Sequence, residues 1–285
     1  MIKLIECPRD AMQGLKPFIE TEKKAAYINQ LLKVGFDTID FGSFVSPKAI
    51  PQMRDTAEVL KKLDLSQTRS KLLAIVANVR GANDAIQFDE ITYLGYPFSI
   101  SETFQIRNTN ATIDESLERV KEIQAICEAK GKKLVIYISM AFGNPYGDPW
   151  NAEEVIKWVD KLAALGIRII QLSDTIGVSK PASIQYLFSA ILPHYEGTDM
   201  EIGAHLHTAP HNWKEKVAAA YESGCRRFDG AIKGYGGCPM AKDELTGNMP
   251  TELMAWYFRE KGIETGLDMD EFLTAIEMAQ EIFPH

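Results

Sequence analysis

Ile202–Thr208 reads IGAHLHT, and with Glu201 before it this stretch has the pattern of one β-strand over 201–208. Period-two alternation sets His205 and His207 on the same side of that strand. Two imidazoles one pleat apart hold a single metal ion where their face lines a cavity; the alternative is two buried histidines bonded to other groups. The strand is followed by a helix, Trp213–Ser223, and preceded by strand Arg168–Asp174 and helix Pro181–Leu192. The same alternation continues outward in both directions.

Toward the N-terminus the strands are Ile2–Cys7, Thr38–Phe44, Lys71–Ala77, Glu90–Phe98 and Lys133–Phe142. The helices between them are Glu20–Val34, Met53–Leu63, Ala82–Gln87, Ile113–Ala129 and Ala152–Leu165. Toward the C-terminus come strand Arg226–Ile232 and helix Thr251–Glu260, and a last helix, Met269–Ile282, lies outside the eight units. Several helices finish at glycine (Gly35, Gly131, Gly166, Gly224, Gly262), which caps a helix C-terminus at little cost in the left-handed conformation. Eight β-then-α units predict an α/β fold, a (β/α)8 TIM barrel with an extra C-terminal helix, as a single domain over 1–285. An open doubly wound sheet fits less well, because no G-x-G-x-x-G follows the first strand and no Walker motif is present. Ser99–Asn110, SISETFQIRNTN, reads as a polar loop long enough to cover a site, with Glu102 and Arg107 either functional or solvated.

Composition narrows the function classes. The chain has 285 residues, 46% hydrophobic and 25% charged, with a net charge of −8. That charge provides no global basic field, so neither nucleic acid nor a membrane surface is an expected partner. An anionic substrate has to meet a local positive site instead. No run approaches the ~18 apolar residues of a transmembrane helix. Cys7, Cys127, Cys225 and Cys238 show neither C-x-x-C spacing nor a dense framework, and MIKLIECPRD opens on a strand with no signal segment. The expectation is a cytoplasmic protein with free thiols.

In a closed barrel the last strand lies beside the first, so the C-terminal ends of strands 7, 8, 1 and 2 are neighbours. The unusual polar residues fall there: Arg9 and Asp10 after strand 1, Asp40 on strand 2, His205 and His207 on strand 7, Cys238 and Asn248 after strand 8. Taken singly, each has a plain structural reading. Arg9-Asp10 can be a strand-end ion pair or a helix cap, Cys238 a small buried hydrophobe, Asn248 a turn residue and Asp40 a hydrogen-bonded buried carboxylate. Taken together, Asp10, two imidazoles and an amide oxygen leave water or substrate positions open on a divalent ion. His211 reads as a surface or supporting residue, and His194 and His285 as solvated.

At these residues the chain resembles the 3-hydroxy-3-methylglutaryl-CoA lyase family, within the metal-dependent lyase and Claisen-condensing barrels. The matching pieces are CPRDAMQ (Cys7–Gln13), TIDFGSFVSPKAIPQM (Thr38–Met53), SDTIGV (Ser173–Val178), AHLH (Ala204–His207) and GGCP followed by GN (Gly236–Asn248). The resemblance implies cleavage of hydroxymethylglutaryl-CoA, an acyl-CoA substrate, to acetyl-CoA and acetoacetate. It implies Asp10, His205, His207 and Asn248 as ligands of a divalent ion, Mg2+ or Mn2+, with two imidazoles also suiting Co2+ or Zn2+. It further implies Arg9 as the group that stabilises the enolate oxygen, Cys238 as a loop thiol near the reacting carbons, Asp40 and the SDTIGV aspartate Asp174 as further catalytic residues, and a homodimer.

The chain departs from the family pattern at Asp40, where the family has Glu, and at Thr208, where it has Asp. The loop CPMAKDELTGN is one residue longer, with Lys242, Asp243 and Glu244 adding charge. A related aldolase or acyl-CoA condensing enzyme (isopropylmalate or homocitrate synthase-like) and a non-catalytic metal- or metabolite-binding barrel are the alternative readings. Lys48 and Arg80 read either as CoA-phosphate contacts or as solvated charges.

Overall fold

Eight strands pair in parallel, each with the next, and the first pairs with the eighth. They are β1 (Lys3–Glu6), β2 (Thr38–Ser43), β3 (Lys71–Ile75), β4 (Ile91–Ser99), β5 (Lys133–Ser139), β6 (Ile169–Asp174), β7 (Glu201–Thr208) and β8 (Arg227–Gly230). The β1–β8 and β6–β7 ladders close the barrel predicted from the alternating units. This is a computed structural model, and it describes residues 2–237 and 246–283.

The helices are α1 (Pro8–Gln13), α2 (Thr21–Val34), α3 (Thr56–Leu60), α4 (Val79–Ala85), α5 (Glu102–Thr109), α6 (Ile113–Ala129), α7 (Ala152–Ala164), α8 (Pro181–Ile191), α9 (Trp213–Glu222), α10 (Thr251–Glu260) and α11 (Met269–Ile282). The main apolar core lies between strands and helices, where the alternate side chains of each strand meet the helix faces. A smaller cluster of Leu73, Ile75, Tyr93, Val135, Tyr137 and Ile169 fills one side of the barrel interior. The extra helix α11 lies on α2. Phe272 meets Phe36 edge-on, Phe283 meets Tyr27, and Asp268 caps its N-terminus by accepting from the amides of Asp270 and Glu271.

Three local elements differ from the sequence expectation. The Ser99–Asn110 stretch is helical as α5 rather than a loop: Ser101 accepts from the Phe104 amide, and Asp148 accepts from the Ser101 hydroxyl and the Thr103 amide. Its polar composition hid a helix whose start is fixed by those capping bonds. The residues after β1 form α1 directly, with Pro8 in its first turn. Gly247–Asn248 adds a short strand, β9, antiparallel to β7.

Barrel closure also buries Glu6, the last residue of β1. Its carboxylate accepts from the Ile232 amide (2.9 Å) and the Thr251 hydroxyl (2.6 Å), tying β1 to both ends of the connection between β8 and α10. Burial pushes this carboxyl up to about 8, the hydrogen bonds from Thr251 and Ile232 oppose the rise, and the nearby Glu252 adds to it. The native state therefore binds this proton more tightly than the unfolded chain. The stability it contributes is fully present below the ordinary carboxylate range and is lost as pH rises toward about 8. The slope from this one group is at most about 1.4 kcal/mol per pH unit. Urea unfolding of the parent and Glu6→Gln between pH 5.5 and 8.5 should show the parent losing stability relative to the variant. Parallel pH profiles would contradict this account of Glu6.

Candidate active site

Above the C-terminal ends of β1, β2 and β5–β7 lies a cavity of about 510 Å3. Its floor carries Arg9, Asp10, His205 and His207. Val45, Ile50, Ile75 and Phe104 give it apolar lining as well.

Because α1 begins directly after β1, Arg9 and Asp10 fall in its first turn and Gln13 one turn later. That spacing brings the three side chains together. The Gln13 amide donates to Asp10 (2.7 Å), and Arg9 Nη1 donates to Asp10 (2.9 Å) and Gln13 (3.0 Å). On its other edge Arg9 grips Asp40 through Nε (3.0 Å) and Nη2 (2.5 Å). A β-bulge between Asp40 and Gly42 gives β2 its local register here. Despite being one methylene shorter than Glu, Asp40 reaches the guanidinium with both oxygens. Of the five N–H bonds of the guanidinium, one on Nη2 has no acceptor among the described residues.

The two histidines behave differently. His205 and Asp229 are register partners on β7 and β8, and the His205 Nδ1 lies 3.0 Å from Asp229. Gln171 donates to the other Asp229 oxygen, and Gly203 leaves the space that the Gln171 side chain fills. Burial lowers the His205 imidazole, but the hydrogen bond and charge of Asp229 outweigh it, so its net shift is upward. His207 has no such partner: burial and then His205 push it down to about 4, and its buried Nδ1 makes no hydrogen bond. It is a neutral imidazole whose Nδ1 is left without a hydrogen-bond partner.

Asn248 joins this group through β9, whose register sets it directly opposite His207. Its amide nitrogen donates to Asp10 (2.8 Å) and to the Tyr235 carbonyl (2.8 Å), leaving its oxygen as an acceptor. Burial raises the Asp10 carboxyl, but Arg9, both imidazoles and Asn248 outweigh this and hold it below the ordinary carboxylate value.

The donors suit a divalent cation. Ligand atoms of Asp10, His205 and His207 lie within 4.8 Å of one another, an ionised carboxylate beside imidazole nitrogens, one of them orphaned. A second grouping of Cys7, His205 and Asp229 meets the same distance criterion. There, however, Asp229 already orients His205, and burial raises the Cys7 thiol well above its usual value, so it stays protonated. The Asp229–His205 arrangement is the kind that fixes a ligating imidazole.

The other expected residues are distributed as follows. Asp174 is not brought to the cavity: the neighbouring Ser173 lines it, and Asp174 turns to the opposite side of β6, held by Ser179 and Lys216. Cys238 lies outside the described residues. His211, Lys48, Arg80, Glu102 and Arg107 are exposed. The sequence reading missed Gln13, Asp229, Tyr137 and Ser173. Tyr137 and Ser173 line the cavity, and their buried hydroxyls have no hydrogen-bond partner. Gln13 was visible as the i+3 and i+4 partner of Asp10 and Arg9 once α1 was recognised, and Asp229 as a carboxylate inside strand 8.

Known proteins match this architecture. The HMGL-like family model matches residues 2–279. The hydroxymethylglutaryl-CoA lyase of Bacillus subtilis (strain 168) is 32% identical over 274 residues, covering 96% of this chain and 90% of the relative. The crystal structure of the Bacillus subtilis HMG-CoA lyase superposes with a TM-score of 0.91 at 31% identity, covering 98% of this chain and 93% of that one. An Acinetobacter baumannii HMG-CoA lyase solved in complex with coenzyme A and 3-methylmalate gives a TM-score of 0.90 at 31% identity, covering 99% and 91%.

Proposed function

The chain belongs to the HMGL-like family, and on that footing we propose that it is a carbon–carbon lyase cleaving 3-hydroxy-3-methylglutaryl-CoA, or a closely similar 3-hydroxyacyl-CoA, to acetyl-CoA and the 3-oxo acid, acetoacetate. The observation that carries the reading is the meeting of Asp10, His205 and His207 beside Arg9 on the floor of one cavity. Asp10, His205, His207 and the Asn248 amide oxygen would hold a divalent ion, Mg2+ or Mn2+, with Co2+ or Zn2+ also suited to the two imidazoles. When bound, such an ion supplies Lewis acidity toward substrate oxygens and fixes their orientation.

The residues themselves account for the rest of the chemistry. In the cleavage the C3 hydroxyl gives up its proton and becomes a ketone. The C2–C3 electron pair moves into the thioester, forming an enolate that is then protonated at C2. The unassigned Nη2 hydrogen of Arg9 is the donor for that developing oxyanion, in a water-poor site where such a bond acts most strongly. Asp40 and Gln13 lock the guanidinium in place. Cys238 is proposed, from the family resemblance alone, as the group that delivers the proton to C2. The named relatives favour this reaction over the aldolase and condensing alternatives.

Among the described residues no helix is long and apolar enough to cross a membrane. Cys7, Cys127 and Cys225 are buried free thiols, in keeping with a reducing, cytoplasmic setting. A homodimer is proposed on the resemblance.

The direct test is acetoacetate release from hydroxymethylglutaryl-CoA by metal-stripped protein, with and without added Mg2+ or Mn2+. Release that depends on the metal is the expected result. Metal binding without release would overturn the substrate assignment.

A further inference from the structure

Lys216, on α9, is 1% exposed, yet it carries an ammonium into the space behind β6 and β7. Each of its three donor positions is matched by an acceptor: Asp174 (2.8 Å), the His207 carbonyl (2.8 Å) and the Gly177 carbonyl (3.1 Å). Asp174 is itself fully buried and accepts from both the amide and the hydroxyl of Ser179. These contacts join two strand ends. The 174–179 turn after β6 is fastened to the end of β7 at the residue whose imidazole faces the metal-binding floor. The turn also reaches β9, because Gly177 packs so closely on Thr246 that a Cβ there would collide with the threonine side chain. Thr246 precedes the strand that pairs Asn248 with His207.

We infer that Lys216 is a positioning residue of the metal centre: by holding the His207 carbonyl and the 174–179 turn it fixes the peptide plane from which the His207 imidazole projects. Asp174 neutralises this buried cation and completes the anchor from behind, a use different from the catalytic role its place in SDTIGV suggests. The imidazole of His207 needs such an anchor more than that of His205 does. Asp229 orients the His205 ring directly, whereas no side chain bonds the His207 Nδ1. Groups that orient a ligand typically contribute about 10–100-fold in metal affinity.

The inference rests on the reading of Asp10, His205 and His207 as ligands, so the experiment measures Mn2+ binding to metal-stripped protein by the free-Mn2+ paramagnetic resonance signal. Removing Lys216 alone would strand the Asp174 carboxylate and threaten folding. The informative variant is therefore Lys216→Met with Asp174→Asn, compared with Asp174→Asn alone, with thermal unfolding measured on each. If the Met double variant does not fold, Lys216→Leu with Asp174→Asn, which also removes the donor, replaces it. The expected result is a loss of about tenfold or more in Mn2+ affinity for the double variant and a clearly smaller loss for the single variant. The single variant melts earlier with its ammonium unpaired but keeps the Lys216 bonds to the His207 and Gly177 carbonyls. A double variant that melts earlier but binds Mn2+ like the parent would reduce Lys216 to a structural role and overturn the inference. Equal losses in both variants would assign the effect to the Asp174 charge and overturn it as well. A parent protein that binds no Mn2+ would overturn the ligand reading itself.

Discussion

Asp10→Asn is expected to abolish metal-dependent turnover while leaving the barrel folded. The substitution is nearly isosteric, and it strikes the one carboxylate in the cluster it forms with His205 and His207. Three donors converge on Asp10, from Arg9, Gln13 and Asn248. An asparagine can accept from some of them with its oxygen, but its NH2 group then opposes a donor and its charge is gone. Outer groups that merely orient a ligand cost about 10–100-fold in affinity, so loss of the charged ligand itself should exceed about 100-fold in both Mn2+ affinity and acetoacetate release. The fold should survive because Arg9 keeps its paired bonds to Asp40, so no buried charge is left without a partner. His205→Ala is a less clean companion: it strips Asp229 of its histidine and leaves a buried carboxylate with the Gln171 amide. Unfolding curves, Mn2+ titration and acetoacetate release on Asp10→Asn check the prediction together. Full activity in this variant would remove Asp10 from the metal centre.

The legible and illegible parts of this site divide along physical lines. The eight strands were readable because each is a short apolar run followed by a helix, and the closure that gathers Asp10, Asp40 and His205 follows from the topology. Side-chain direction was harder to read. Both faces of a barrel strand are buried, so composition does not tell inward from outward. Asp174 was expected at the chemistry from the resemblance, and composition could not show that Ser173 beside it lines the cavity instead. At β2 the bulge after Asp40 alters the register locally, and no residue pattern announced it. Asn248 was readable as a candidate ligand from its place after strand 8 and from the resemblance, but the element that delivers it was not, being a strand of two residues. Lys216 was invisible for a different reason: a lysine on a helix reads as solvent-facing until its three buried acceptors are seen.

Arg9→Met should be as damaging to catalysis as loss of the metal ligand, by a different route. Arg9 brings the only guanidinium among the described residues that line the cavity, and Asp40, Asp10 and Gln13 hold it rigid. A preorganised donor aimed at a developing oxyanion is worth about 100–1,000-fold in kcat. Methionine keeps the aliphatic volume, but it leaves Asp40 fully buried without its cation. Asp40 is already pushed up to about 6 by burial even with Arg9 beside it. The single variant should therefore lose stability as well as activity, the more so as pH rises and the carboxyl must ionise unpaired. Arg9→Met with Asp40→Leu separates the two effects, because it removes the stranded Asp40 charge while Asp10 keeps the amide donors of Gln13 and Asn248. That double variant should regain most of the thermal stability and none of the turnover. Arg9→Lys should recover little, since an ammonium cannot reproduce the fork that bonds Asp40 and Asp10 together. Steady-state kinetics decide the role: a fall in kcat with KM nearly unchanged marks a bond made in the transition state, whereas a rise in KM at constant kcat would make Arg9 a substrate-binding group.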